Sequence, residues 1–193
     1  SVETLTNLAR AQVLIGAQDF AIKHLRKALQ LRPNFLDAHI ELAWAFRLAG
    51  KYDDSLDCFA KALELSPGNS RVLTGKAKIL EVLGRYKEAY EILQPFIKEE
   101  ASEALPVYYD LSHHFGERDE AASLINKLLD KDDINAQGTA PLHFRLGNYY
   151  DKAGDYDTAF RHFREANALT NRRFSIEEAK RLFKEIATRY NRE

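Results

Sequence analysis

Residues 42–67 read LAWAFRLAGKYDDSLDCFAKALELSP, and this stretch decides the fold. Around it, apolar residues at Ala38, Leu42, Ala45, Phe46 and Ala49 precede Gly50, and Leu56, Phe59, Ala60 and Leu63 follow it. Steps of three and four residues put side chains on one face of a helix. The stretch therefore predicts two amphipathic helices joined at Gly50. Glycine can end the first helix in a left-handed conformation at little steric cost. The small residue at Ala43 lets the paired helices approach closely. A Leu there is expected to cost about 1 to 3 kcal/mol through overpacking.

Outward from this stretch the pattern recurs. Gly16, Gly50, Gly84, Gly116 and Gly154 are separated by steps of 34, 34, 32 and 38 residues. Each is followed five residues later by a small residue: Ala21, Ser55, Ala89, Ala121 and Ala159. Gly50-Lys-Tyr52, Gly84-Arg-Tyr86 and Gly154-Asp-Tyr156 share their local context, and Pro33 and Pro67 stand one period apart. Ala77 and Gly147 repeat the small position of Ala43. A period of roughly 20 to 50 residues identifies an array of supersecondary units rather than a single globular core.

The residues that carry this array resemble the tetratricopeptide repeat. Leu42-Ala43, Phe46, Gly50, Tyr52, Ser55, Phe59, Ala62 and Pro67 carry the resemblance, as do Leu146-Gly147, Tyr150, Gly154, Tyr156, Ala159, Phe163 and Ala166. The fold this implies is all-α: a right-handed superhelical solenoid of about five helical hairpins plus a C-terminal capping helix, forming one domain over residues 1–193. Units are expected near 2–35, 36–69, 70–101, 102–135 and 140–173. The fourth is the most irregular, because Ser112 stands where Phe46, Leu80 and Tyr150 stand elsewhere and Pro106 falls in its first helix. The run Asp130-Lys-Asp-Asp133 with Asn135 to Thr139 reads as an inserted loop.

Ser175-Ile-Glu-Glu178 fits a capping box. Ile176, Ala179, Leu182, Phe183, Ile186, Ala187 and Tyr190 then form one apolar stripe, predicting a capping helix over 175–190. A repeat stack needs such a cap because its last unit otherwise presents a core face to water.

Composition excludes several classes. Among the 193 residues, 28 are Lys or Arg and 29 Asp or Glu, a net charge of -1 that argues against a dedicated nucleic-acid binder. Apolar residues make up 45% of the chain, enough for a packed core, yet their uninterrupted runs are far shorter than the roughly 20 residues of a membrane span. Cys58 is a single cysteine, which cannot form an internal disulfide or a Cys-rich zinc site. The first residues lack the basic-then-apolar pattern of a secretory signal, and Ser1 in place of Met reads as a processed or excised chain. A cytoplasmic location is the expectation. Charge is uneven: residues 98–133 carry net -6 and residues 170–193 net +3.

The resemblance implies a concave wall built from the first helix of every unit, and that wall is the expected binding surface. Its candidate contact residues are Arg10, Trp44, Arg47, Arg71, Lys78, His113, Arg145 and Asn148. Trp44 is the single tryptophan and lies outside the apolar spacing of its own helix; groove and core placements are equally open to it. For each cation the competing role is a solvated face, so only the convergence of Arg10, Arg47, Arg71 and Lys78 points to an acidic partner. The two-carboxylate clamp by which some tetratricopeptide domains hold chaperone tails is not matched, since the corresponding positions hold Thr6, Arg10, Glu41, Arg71 and Gly75.

No catalytic, cofactor or metal constellation emerges. His113 and His114 are adjacent and diverge by about 100° if helical. Cys58 on a second helix reads as a packing residue. Two functions of different class follow. The first is a non-catalytic scaffold that binds a peptide or a partner helix in its groove. The second is the recognition or regulatory front of a larger bacterial sulfotransferase whose catalytic domain is a further partner in the same polypeptide. That alternative rests on Leu142-His-Phe-Arg-Leu-Gly-Asn148, Gly154-Asp-Tyr-Asp-Thr-Ala-Phe160 and Phe174-Ser175, which are similar to the last repeat and exit helix of tetratricopeptide-sulfotransferase proteins. Self-association through an open end of the stack is a third route.

Overall fold

The computed structural model describes residues 1–98, 103–131 and 139–170. These residues form ten α-helices and no strand. The chain divides into two compact units, Ser1–Leu124 and Ile125–Glu193. The predicted capping helix over 175–190, and most of the predicted loop before Thr139, lie outside the described residues.

The first unit contains α1 (Val2–Leu14), α2 (Gln18–Leu31), α3 (Leu36–Leu48), α4 (Tyr52–Leu65), α5 (Ser70–Val82), α6 (Tyr86–Lys98) and α7 (Leu105–Ser112). The helix α8 (Arg118–Leu129) begins in this unit and ends in the second. Consecutive helices from α1 to α7 pack on one another. The first helices also touch along the stack, α1 on α3, α3 on α5 and α5 on α7. This is the nearest-neighbour packing of a helical repeat array.

Backbone geometry explains the hairpins. Gly50 has φ 72°, its N–H donates to the Arg47 carbonyl at 3.0 Å, and the Lys51 N–H donates to the Phe46 carbonyl at 2.9 Å. The two bonds together form a Schellman motif, which satisfies the orphan carbonyls of α3. The same pair of bonds closes α5 at Gly84 and α9 at Gly154. Inside the second hairpin, the buried Ser55 hydroxyl donates to the Ala43 carbonyl at 2.7 Å. A small polar residue thus both permits the close approach and ties it down.

Two apolar clusters fill the start of this unit. Ala21, Ile22, Leu25 and Ala28 of α2 meet Ala38, Leu42, Ala45 and Phe46 of α3. Ile40 and Ala43 of α3 meet Phe59 and Ala62 of α4 and Val72 and Ile79 of α5. Cys58 packs against both clusters. Burial of the thiol, with the Asp54 and Asp57 carboxylates nearby, pushes its pKa up to about 12.

The fourth hairpin is the most altered. Its first helix α7 has eight residues, with Pro106 in its first turn where no intrahelical N–H is needed. Ser112 is buried and donates to the Tyr109 carbonyl at 2.7 Å, which lets a polar residue occupy a position that is apolar elsewhere. Beyond the turn, Glu117 accepts hydrogen bonds from the Tyr90 and Tyr108 hydroxyls at 2.7 and 2.9 Å. Burial and this carboxylate push Tyr90 up to about 12 and raise Tyr108 as well, so both phenols stay protonated.

In the second unit, α9 (Ala140–Ala153) and α10 (Tyr156–Leu169) form a hairpin. Gly147 packs directly on the Phe163 ring: a Cβ built there would lie 2.5 Å from it. Asp155 caps α10 by accepting from the Thr158 N–H at 3.1 Å.

Candidate functional site: the first-helix wall

The wall of the first unit is organised by a residue that the sequence reading named only as a mismatch to the chaperone-tail clamp. Glu41 lies in the middle of α3 with its side chain only 8% exposed. Its Oε1 accepts from Arg10 of α1, whose Nη2 lies at 3.0 Å and Nε at 3.1 Å. The same oxygen accepts from Arg71 Nη2 of α5 at 3.0 Å. One carboxylate therefore joins three successive hairpins. The guanidinium side chains are 47% and 49% exposed, so two cations face solvent against one buried anion. Of the four cations expected to converge, Arg10 and Arg71 meet on this internal counter-ion.

Trp44 stands between the groove and core placements. It is half-buried and meets Phe59 edge to face, with ring centroids 5.4 Å apart at 84°. Its ring tip also approaches Gly75 of α5, where a Cβ would come within 3.2 Å. The outer side of the indole carries Arg47, whose guanidinium carbon lies 5.7 Å from the ring centroid. Such a cation–π contact contributes about 0.5 to 1 kcal/mol near a surface.

Arg47 Nε, Thr74 Oγ1 and Tyr109 OH are buried and have no hydrogen-bond partner among the described residues. They lie on α3, α5 and α7, the successive first helices. A buried polar group left unpaired costs about 1 to 3 kcal/mol.

The remaining candidates are dispersed. Lys78 is half-buried on α5. His113 is exposed and its Nδ1 lies 2.8 Å from the Asp110 carbonyl. The expected divergence of His113 and His114 does not occur, because α7 ends at Ser112 and the pair lies beyond its regular turns. Their rings stand 3.6 Å apart, and His114 stacks on Tyr86. Arg145 and Asn148 belong to α9 of the second unit. Arg145 donates to the Pro141 carbonyl at 3.0 Å, and Asn148 is exposed.

The second unit has a feature with no counterpart in the sequence reading. His143 and His162 face each other across α9 and α10 with Nδ1 atoms 3.1 Å apart, and Tyr150 stacks on His162. Burial lowers the pKa of both rings, and His143 lowers that of His162 further. One ring must donate and the other accept.

Among the described residues no helix is long and apolar enough to cross a membrane.

Comparison with known proteins agrees with this architecture. Three family models described as tetratricopeptide repeat match residues 8–70, 46–105 and 140–172. The chain is therefore a tetratricopeptide repeat protein. It is 26% identical over 168 residues to the human protein O-mannosyl-transferase TMTC1, covering 86% of this chain but only 19% of that protein. Among solved structures it resembles TTC0263, a thermophilic tetratricopeptide protein of Thermus thermophilus, with a TM-score of 0.75, 17% identity and coverage of 90% and 93% of the two chains. It also resembles YrrB, described as a tetratricopeptide protein with an unusual peptide-binding site, with a TM-score of 0.55, 21% identity and coverage of 94% and 92%. At these identities the structural likeness shows the fold alone.

Proposed function

We propose that the chain is a non-catalytic interaction scaffold whose first-helix wall binds an extended acidic peptide or the acidic face of a partner helix. The carrying observation is the arrangement of Arg10 and Arg71 on the single Oε1 of Glu41. A buried carboxylate holds the two guanidinium groups in place, so less side-chain entropy is lost when a ligand engages their remaining N–H donors. Arg47 over Trp44 extends the cationic strip within α3. Lys78 and His113 complete the reading in the first unit, and Arg145 and Asn148 are its candidates in the second. A cytoplasmic setting suits such a scaffold.

Trp44 supplies the assay, since it is the single tryptophan and touches Arg47. Titration with an acidic peptide is expected to change its emission saturably. The Glu41→Gln variant, with two cations and no anion, should bind more tightly. The Arg10→Ala, Glu41→Gln, Arg71→Ala triple variant should lose about tenfold or more in affinity. Equal binding by all three proteins would remove the wall from the function. The alternative role, as the front of a bacterial sulfotransferase, rests on the sequence of the last hairpin. The geometry of α9 and α10 is common to both readings.

A further inference from the structure

The first hairpin carries charge that the repeat does not require. Lys23, Arg26 and Lys27 of α2 line one cavity of about 690 Å³ with Lys51, which precedes α4, and with a single carboxylate, Asp19. The cavity is open to solvent and has room for a small anion. Arg26 lies 5.5 Å over the Phe46 ring. Lys23, Lys27 and Lys51 are exposed and have no ion-pair partner among the described residues.

The other hairpins act as an internal control. One period along, the equivalent positions hold Asp57, Ala60, Lys61 and Arg85. There Lys61 is paired with Glu64 at 2.9 Å and Arg85 with Glu88 at 2.6 Å. In the third hairpin they hold Glu91, Gln94, Pro95 and Glu117. Packing therefore tolerates neutral or acidic residues at each of these positions. At Lys27 the residue that would follow the Glu64 pattern is Gln30, which leaves the ammonium without a counter-ion. Four like charges around one cavity repel each other, and of the four only Arg26 has a packing contact, with Phe46.

We propose that this cavity binds a small polyphosphate anion. Lys ammonium groups are mobile point charges suited to phosphate oxygens. A polyphosphate brings several charges into one cavity, and each of its phosphate groups offers more acceptor oxygens than a carboxylate does. The site lies on α2 and the start of α4, away from Glu41 and the first-helix wall. It stands independently of the peptide reading.

Calorimetric titration of the full chain with inorganic tripolyphosphate at low ionic strength tests this. Saturable binding is expected, weakening as salt rises. The Lys23→Ala, Lys27→Ala, Lys51→Ala triple variant should bind about tenfold or more weakly while melting no lower than the parent, because the three side chains are exposed. Absence of saturable heat, or equal affinity in the triple variant, would overturn the site. Citrate tests the anion class: it is expected to bind at least about tenfold more weakly, and equal affinity would overturn the phosphate assignment.

Discussion

The ring of Phe59 occupies the space that a side chain at Gly75 would need: a Cβ built on Gly75 would lie 2.5 Å from the ring tip. Phe59 is fully buried between α3, α4 and α5, so it has nowhere to move. Gly75→Ala should therefore destabilise the first unit by about 1 to 3 kcal/mol through overpacking. The combination with Phe59→Leu should recover part of that loss. Denaturant unfolding of the single and double variants measures the coupling.

Glu41 and its arginines predict an asymmetry. Removing the carboxylate in Glu41→Ala releases two half-exposed cations to water and should cost about 1 kcal/mol. Removing both arginines instead leaves a buried, unpaired carboxylate and should cost about 3 kcal/mol or more. Thermal unfolding that ranks the two variants in the opposite order would contradict the internal ion pairing.

The facing histidines predict an acid-sensitive hairpin. Burial lowers both pKa values, Arg161 adds to the effect on His162, and Glu165 opposes it at both rings. The unfolded value is about 6.5, so between it and the lower folded values the unfolded chain holds more protons. Stability is then lost as pH falls from neutral through that window. Amide hydrogen exchange in α9 and α10 is expected to lose protection between about pH 7.5 and about pH 5.5. The His143→Asn, His162→Gln variant should show a flatter response.

Cys58 should be chemically quiet. With its pKa pushed up to about 12, the thiolate fraction near pH 8 is small. Alkylation in the folded chain is expected to run roughly a hundredfold or more slower than in the denatured chain. Comparable rates would show that the thiol is not held between the two apolar clusters.

Much of the fold was legible because glycine reports backbone conformation directly. Gly16, Gly50, Gly84, Gly116 and Gly154 all have positive φ, and each closes a hairpin that the spacing had indicated. The wall was less legible. Arg10 and Arg71 were visible as cations of one pattern, but their partner lies 31 and 30 residues away on another hairpin. Helical periodicity reports burial within one helix and is silent on a carboxylate buried by its neighbours. Trp44 is decided by Gly75, whose missing side chain opens space beside the indole and Phe59 in the next hairpin. The His143–His162 contact depends on the rotation of α9 against α10. A hint of it existed, since His143 and His162 both precede an aromatic residue, Phe144 and Phe163, in paired helices.

Repeat arrays commonly grow or shrink by gaining or losing whole modules, because each module needs only its neighbours. The single oxygen shared by Arg10 and Arg71 makes the first three hairpins an exception. Duplicating the middle one would put 34 extra residues between the two cations and give each its own acid, while deleting it would leave them facing each other with none. Loss of the middle module would thus bring two cations together without an anion, whereas its gain would leave every charge matched.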